Sequence, residues 1–180
     1  LSSSTASLIT GNSSTITVYA DGVKSSGSNY TWTSSNTKVA KVDTAGKITA
    51  TGAGSATITC KASDGRALTV AVTVKAKLTL SSSNVSVSKG SSSTVAVYAD
   101  GTKSSASNYT WTSSNTKIAK VDTAGKITGV AEGKATITCK ASDGRTLTVA
   151  VTVTAPKENG LIYTNGKYVW MKDGVKDTSK

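Results

Sequence analysis

The sequence predicts an all-β protein: two tandem β-sandwiches followed by a C-terminal β-hairpin. Three observations predict it. Short runs alternate apolar residues with Thr, Ser or Lys, the period of strands with one face buried. Turn-forming pairs (Asp21-Gly22, Ala45-Gly46, Asp64-Gly65) punctuate these runs. Finally, residues 1–74 recur as residues 80–153 without gaps, with about three-quarters of the positions identical. No stretch carries helical periodicity.

Each element follows from the alternation. STITVYA at 14–20 reads as one strand with Ile16, Val18 and Ala20 inward. Tyr19, and Tyr98 in the second copy, fall on its outer face. YTWTS places Trp32 and its counterpart Trp111 mid-strand, as the largest side chains of their cores. SATITCKA at 55–62 turns Ala56, Ile58, Cys60 and Ala62 inward. ALTVAVTV at 67–74 does the same with Leu68, Val70, Val72 and Val74. About seven short antiparallel strands per copy suit a two-sheet sandwich. A period near 80 residues is the size of an autonomous domain. Domains are therefore expected at 1–77 and 78–156, with a hairpin unit at 157–180. The Lys75-Ala76-Lys77 junction lacks Gly and Pro, so limited bending and an extended stalk are expected.

Composition excludes much chemistry. The 180 residues include no His and no Phe. Without imidazole there is no Ser-His-Asp triad, His-ligated zinc or proximal haem ligand. Glu132 and Glu158 are the only glutamates, which leaves little for paired-carboxylate catalysis. Asp-Gly turns offer one carboxylate each, too few for a calcium loop. No cofactor or metal site is expected, and the chain reads as non-catalytic.

The formal net charge is +11, from 21 Lys+Arg against 10 Asp+Glu. Arg66 and Arg145 are the only arginines, and the lysines are spread along the chain. Nucleic-acid binders concentrate charge and interleave aromatics, so this reads as a solvated surface that also protects sheet edges. Attraction to a cell-wall polyanion is the alternative. No apolar run approaches the ~20 residues of a membrane helix. The Leu1 start, with no leader pattern, reads as a mature or excised segment. Asn12, Asn29, Asn84 and Asn108 each open an N-x-Ser/Thr triplet, as expected by chance in a chain rich in Ser and Thr.

Cys60 and Cys139 occupy equivalent positions, one per copy. Separate sandwiches would hold them too far apart to pair. Both are expected as small buried core hydrophobes.

The order W-x-S-S-N-x-x-V-A-x-V-D-x-x-G-x-I, then G-x-A-T-I-T, a D-G turn and a V-x-V ending runs from Trp32 to Val74 and recurs with small changes from Trp111 to Val153. It resembles the bacterial immunoglobulin-like domain of group 2. That resemblance implies immunoglobulin-like sandwiches in tandem on a bacterial surface or secreted protein, acting as spacers or binding modules, with no catalytic residues to carry over.

The tail differs in kind. GLIYTNGKYVWMKDGV at 160–175 gathers three aromatics around Asn165-Gly166 and Asp173-Gly174. Strands are expected at about 161–164 and 167–172, with a second turn at 173–174. Gly160, Asn165, Gly166, Asp173 and Gly174 are similar to one repeat of the cell-wall-binding (choline-binding-like) family. Leu161, Tyr168, Val169 and Trp170 depart from that family's aromatic pattern. Its ligand cages form between consecutive repeats, and one unit alone closes none.

The expected function is a spacer or stalk segment of an extracellular bacterial protein, monomeric, without nucleic-acid or membrane partners. The alternative is a module binding cell-wall or host glycans, with Tyr163, Tyr168, Trp170, Tyr19 and Tyr98 as candidate sugar-stacking residues.

Overall fold

The structure is a computed structural model and describes residues 1–156, 160–172 and 175–176. It is all-β and divides into two compact units: Leu1–Leu78 with Ala99–Thr102, and Thr79–Tyr98 with Lys103–Lys180.

The first unit contains β1 (Thr5–Ile9), β2 (Ser13–Thr15), β3 (Val18–Ala20), β4 (Val23–Ser25), β5 (Thr31–Ser34), β6 (Ala40–Val42), β7 (Lys47–Ala50), β8 (Gly54–Lys61) and β9 (Ala67–Lys75). One sheet runs β1-β9-β8-β5 and the facing one β2-β7-β6, while β3 and β4 form a separate ribbon. These nine strands exceed the expected seven because chain segments change partners midway.

STITVYA shows this. It is not one strand: β2 pairs with β7, whereas β3 turns back on β4. The turn is Asp21-Gly22, with φ 47° and 79°, both in the left-handed region that a two-residue hairpin turn demands. Ile16 and Val18 are buried, but Ala20 is exposed, against the inward reading. Leu68 is also exposed, at 49%; the inward face of β9 becomes covered only from Val70 onward.

The antiparallel expectation also needs correction. β8 and β9 pair antiparallel with Ile58 opposite Val70, but β1 runs parallel to β9 from Thr5↔Ala71 to Ile9↔Lys75. Parallel neighbours cannot be joined by a tight turn, and here the rest of the repeat supplies the connection.

The core lies between the two sheets. Ile48, Ile58, Val70 and Val72 are almost wholly buried, with Ile16, Val39 and Val74 around them. Fully burying each such side chain contributes about 1.5–3 kcal/mol. Trp32 is only half-buried and packs against this cluster. Branched aliphatics therefore form the centre, and the indole lies at its rim. The rim position gives the indole N–H a partner, the Gly27 carbonyl at 3.0 Å.

The second repeat, with the residues leading into it, forms β10 (Leu78–Leu80), β11 (Asn84–Ser88), β12 (Ser92–Thr94), β13 (Val97–Ala99), β14 (Thr102–Lys103), β15 (Tyr109–Ser113), β16 (Ala119–Val121), β17 (Lys126–Gly129), β18 (Gly133–Ala141) and β19 (Thr146–Thr154). Its sheets are β11-β19-β18-β15, β12-β17-β16 and β10-β13-β14. β11 is parallel to β19, as β1 is to β9. Ile127, Ile137, Val95, Val149 and Val151 form the buried centre, with Trp111 again packed against it.

The tail forms β20 (Gly160–Thr164), β21 (Lys167–Lys172) and β22 (Val175–Lys176) in one small sheet. Asn165 and Gly166, with φ 51° and 76°, make the hairpin turn between β20 and β21. The expected second turn, Asp173-Gly174, lies outside the described residues.

Candidate functional site

The hairpin register builds one aromatic face. Tyr163 stands opposite Tyr168, and their ring centroids are 4.8 Å apart at 55°. Trp170 is two residues along the same strand and therefore shares that face. Tyr163, Tyr168 and Trp170 are 63%, 69% and 44% exposed. Val169 and Met171, on the opposite face, are half-buried. A cross-strand aromatic pair contributes about 0.2–1 kcal/mol to the hairpin. The same exposed rings offer flat apolar area to a ligand.

The other two candidate tyrosines are not equivalent. Tyr19 is 48% exposed, whereas Tyr98 is half-buried. Tyr19 borders a cavity of about 230 Å³, whose walls include Val18, Ala20, Tyr30, Cys60, Arg66 and Leu68. Sequence reasoning singled out neither Arg66 nor Leu68 for this place, since the parity of Leu68 reads as core.

Cys60 and Cys139 are free thiols, 3% and 1% exposed. Burial pushes both thiols above their ordinary value, Cys139 to about 11. A thiol held protonated in this way is a poor nucleophile and a poor metal ligand.

Carboxylates have local duties. Asp43 Oδ1 accepts hydrogen bonds from the backbone N–H groups of Ala45 and Lys47, both at 2.9 Å. Asp122 repeats this with Ala124 and Lys126. Asp64 accepts from the Arg66 backbone at 3.0 Å and from its guanidinium at 2.7 Å. These bonds hold the Asp64 carboxyl below the usual carboxylate range. Asp143 and Arg145 form the same pair in the second repeat. Among the described residues, no three His, Cys, Asp or Glu side chains gather as a metal site. Nor is any helix of the described residues long and apolar enough to cross a membrane.

Comparison with known proteins places these features in context. Residues 74–153 match the family described as bacterial Ig-like domain (group 2), and residues 19–65 match the immunoglobulin-like domain of intimin. An uncharacterized protein of Clostridium acetobutylicum is 30% identical over 145 residues, covering 78% of this chain and 15% of that protein. The lacto-N-biosidase of Bifidobacterium bifidum is 45% identical over 49 residues, 27% of this chain and 4% of that enzyme. The chain thus spans a small part of either relative. Among solved structures, a C-terminal 282-residue fragment of intimin, in complex with the intimin-binding domain of its translocated receptor, is 24% identical. It covers 79% of this chain and 57% of that one, with a TM-score of 0.49. The S-layer protein rSbsC(31–844) is 25% identical, covering 86% of this chain and 25% of that one, with a TM-score of 0.41.

Proposed function

We propose that this chain is a non-catalytic spacer segment of a larger bacterial cell-surface or secreted protein. Its immunoglobulin-like domains would be residues 1–77 and 78–156, carried outside the cell as a monomer. One observation carries the reading: Asp43, Asp64, Asp122 and Asp143 are each bound to main-chain N–H groups of their own turn. These four carboxylates thereby belong to the fold, and the thiols are buried. The outward surface is rich in Ser, Thr and Lys, which suits it to solvation. The match of residues 74–153 to a bacterial Ig-like family, and the much greater length of the Clostridium relative, support a part within a larger protein.

A second reading is glycan or host-surface binding through the hairpin. The exposed face of Tyr163, Tyr168 and Trp170 favours it. A glycan array that includes cell-wall fragments, run with the protein and its Trp170→Ala variant, separates the two. The spacer reading expects no saturable binding by either protein. Saturable binding that Trp170→Ala abolishes would replace it with the second reading.

A further inference from the structure

The first unit includes four residues from beyond its own repeat, Ala99–Thr102. They make the turn between β13 and β14, where Asp100 and Gly101 hold φ 49° and 79°. Asn, Asp and Gly are the residues that accept such a left-handed pair at little cost. Of the three, only Asp adds a charged acceptor with two oxygens. Both oxygens are used here. Oδ1 accepts from the Lys77 N–H at 2.8 Å, and Oδ2 accepts from the Thr10 hydroxyl at 3.2 Å. The Asp100 N–H in turn donates to the Lys77 carbonyl at 2.9 Å.

These partners stand at one end of the parallel ladder of β1 and β9. Its last pair is Ile9↔Lys75. The Thr10 N–H extends it by one bond, to the Lys75 carbonyl at 3.0 Å. There the two segments part. The chain after β1 turns back, with the Asn12 N–H donating to the Ile9 carbonyl at 2.9 Å, while the chain after β9 runs on through Lys77. Parallel pairing is slightly weaker per residue than antiparallel pairing, and element ends open first. The Asp100 carboxylate bridges the two parting segments at that point, one oxygen to each.

We propose that Asp100 is a latch that the second repeat supplies to the first unit. While the β13–β14 turn is formed, its carboxylate closes the Thr10–Lys77 end of the β1–β9 ladder. When that turn opens, the ladder end is released. Local opening at this end of the first unit is therefore conditional on the fold of the second repeat. This is a nearest-neighbour coupling of the kind that makes an array of repeats more than a sum of separate domains. The latch goes beyond the spacer reading and does not depend on it, since a binding module with the same ladder would be closed in the same way.

The test is amide exchange by NMR on the full chain. Asp100→Gly removes the carboxylate and keeps the left-handed turn. It should speed exchange at Lys77 and Thr10 about five- to tenfold, as expected for loss of one hydrogen bond. Asp100→Asn keeps the turn and one acceptor oxygen, and should leave Lys77 close to the parent. Thr10→Val should speed exchange at residue 10 in the parent and add nothing in Asp100→Gly. Gly101→Val opens the turn through left-handed strain and without a clash, because a Cβ there meets no atom within 4 Å. It should release Lys77 and Thr10 as Asp100→Gly does, and the two substitutions together should equal either alone. Unchanged exchange at Lys77 and Thr10 in Asp100→Gly would overturn the latch. So would unchanged exchange there in Gly101→Val while the amides of β13 and β14 speed up, or additive effects in the paired variants. An equal rise at all ladder amides of both repeats would mark a general loss of stability and reject the latch as well.

Discussion

The two repeats differ at one position that tests how the tryptophan is held. Gly27 in the first is Ala106 in the second. A Cβ on Gly27 would lie 2.5 Å from the Ala45 carbonyl oxygen and 2.6 Å from its carbon. Those atoms are backbone, so the turn carrying residue 27 must move by roughly an ångström to reach ordinary contact. Such a shift stretches the 3.0 Å bond from Trp32 Nε1 to the Gly27 carbonyl. In the second repeat, where the alanine is native, the Trp111 indole N–H is buried without a hydrogen-bond partner. Gly27→Ala should therefore put Trp32 in the state of Trp111. Leaving a buried donor unpaired costs about 1–3 kcal/mol. Replacing Gly with Ala returns about 0.4–1 kcal/mol through the unfolded chain. The net loss is about 1–2 kcal/mol, or roughly 5–15 °C in the melting of the first unit. Ala106→Gly should restore the missing bond in the second unit, and the entropy of the new glycine should offset most of that gain. The assay is a thermal melt of the full chain, with indole N–H exchange of Trp32 and Trp111 read by NMR. Exchange at Trp32 should rise in Gly27→Ala, and exchange at Trp111 should fall in Ala106→Gly. If both indoles exchange as in the parent and the melts coincide, the glycine does not hold the tryptophan and the argument fails.

Three further outcomes follow from the packing and burial. Gly46 has φ 79°, and a Cβ there would meet Trp32 Cζ2 at 2.8 Å and the Ile16 carbonyl oxygen at 2.7 Å. Gly46→Ala should cost about 2–4 kcal/mol from left-handed strain and overpacking together, seen as a lower urea midpoint for the loss of Trp32 signals. The buried thiols should resist a thiol-modifying reagent at neutral pH until urea unfolds the chain. Because burial raises Cys139 from 9.0 to about 11, its contribution to stability is whole below pH 9 and shrinks as pH rises toward 11. A Cys139→Ala variant should lose that part of the pH dependence, while rapid labelling of the native protein would contradict burial.

Much of this fold was legible because a strand with one buried face writes its period into the sequence. Ala56, Ile58 and Cys60 are buried while Thr57 and Lys61 are exposed, as alternation requires. The hairpin turn at Asn165-Gly166 was legible for a different reason: few residue pairs tolerate two consecutive left-handed conformations. Parallel pairing of β1 with β9 was not legible, since alternation tells which face is buried and not which strand lies alongside. The break in STITVYA was hidden for the same cause, because β2 and β3 keep one parity while joining different sheets. Trp32 misled through its size. Volume argued for the centre, but an indole also needs a hydrogen-bond partner, and that partner lies at the rim. Leu68 misled because parity assigns a side chain to a face but not how far along the strand that face is covered, and cover on β9 begins at Val70.

The longest shared stretch of the repeats can be explained without a ligand. Ser34 Oγ donates to the Ala40 carbonyl at 2.7 Å, Ser35 Oγ accepts from the Thr57 N–H at 2.8 Å, and Asn36 Oδ1 accepts from the Lys38 N–H at 3.1 Å. Ser113, Ser114 and Asn115 make the corresponding three bonds in the second repeat. This Ser-Ser-Asn run lies where the chain leaves β5 in one sheet to enter β6 in the other. A crossing chain leaves its own ladder and must find other partners for its N–H and C=O groups. Short polar side chains supply them locally, as Ser and Asn do in turns. Identity between the copies here has a sufficient cause in the crossing itself. The site where the copies differ in sequence and in bonding, Gly27 against Ala106, is therefore more informative than the stretch they share.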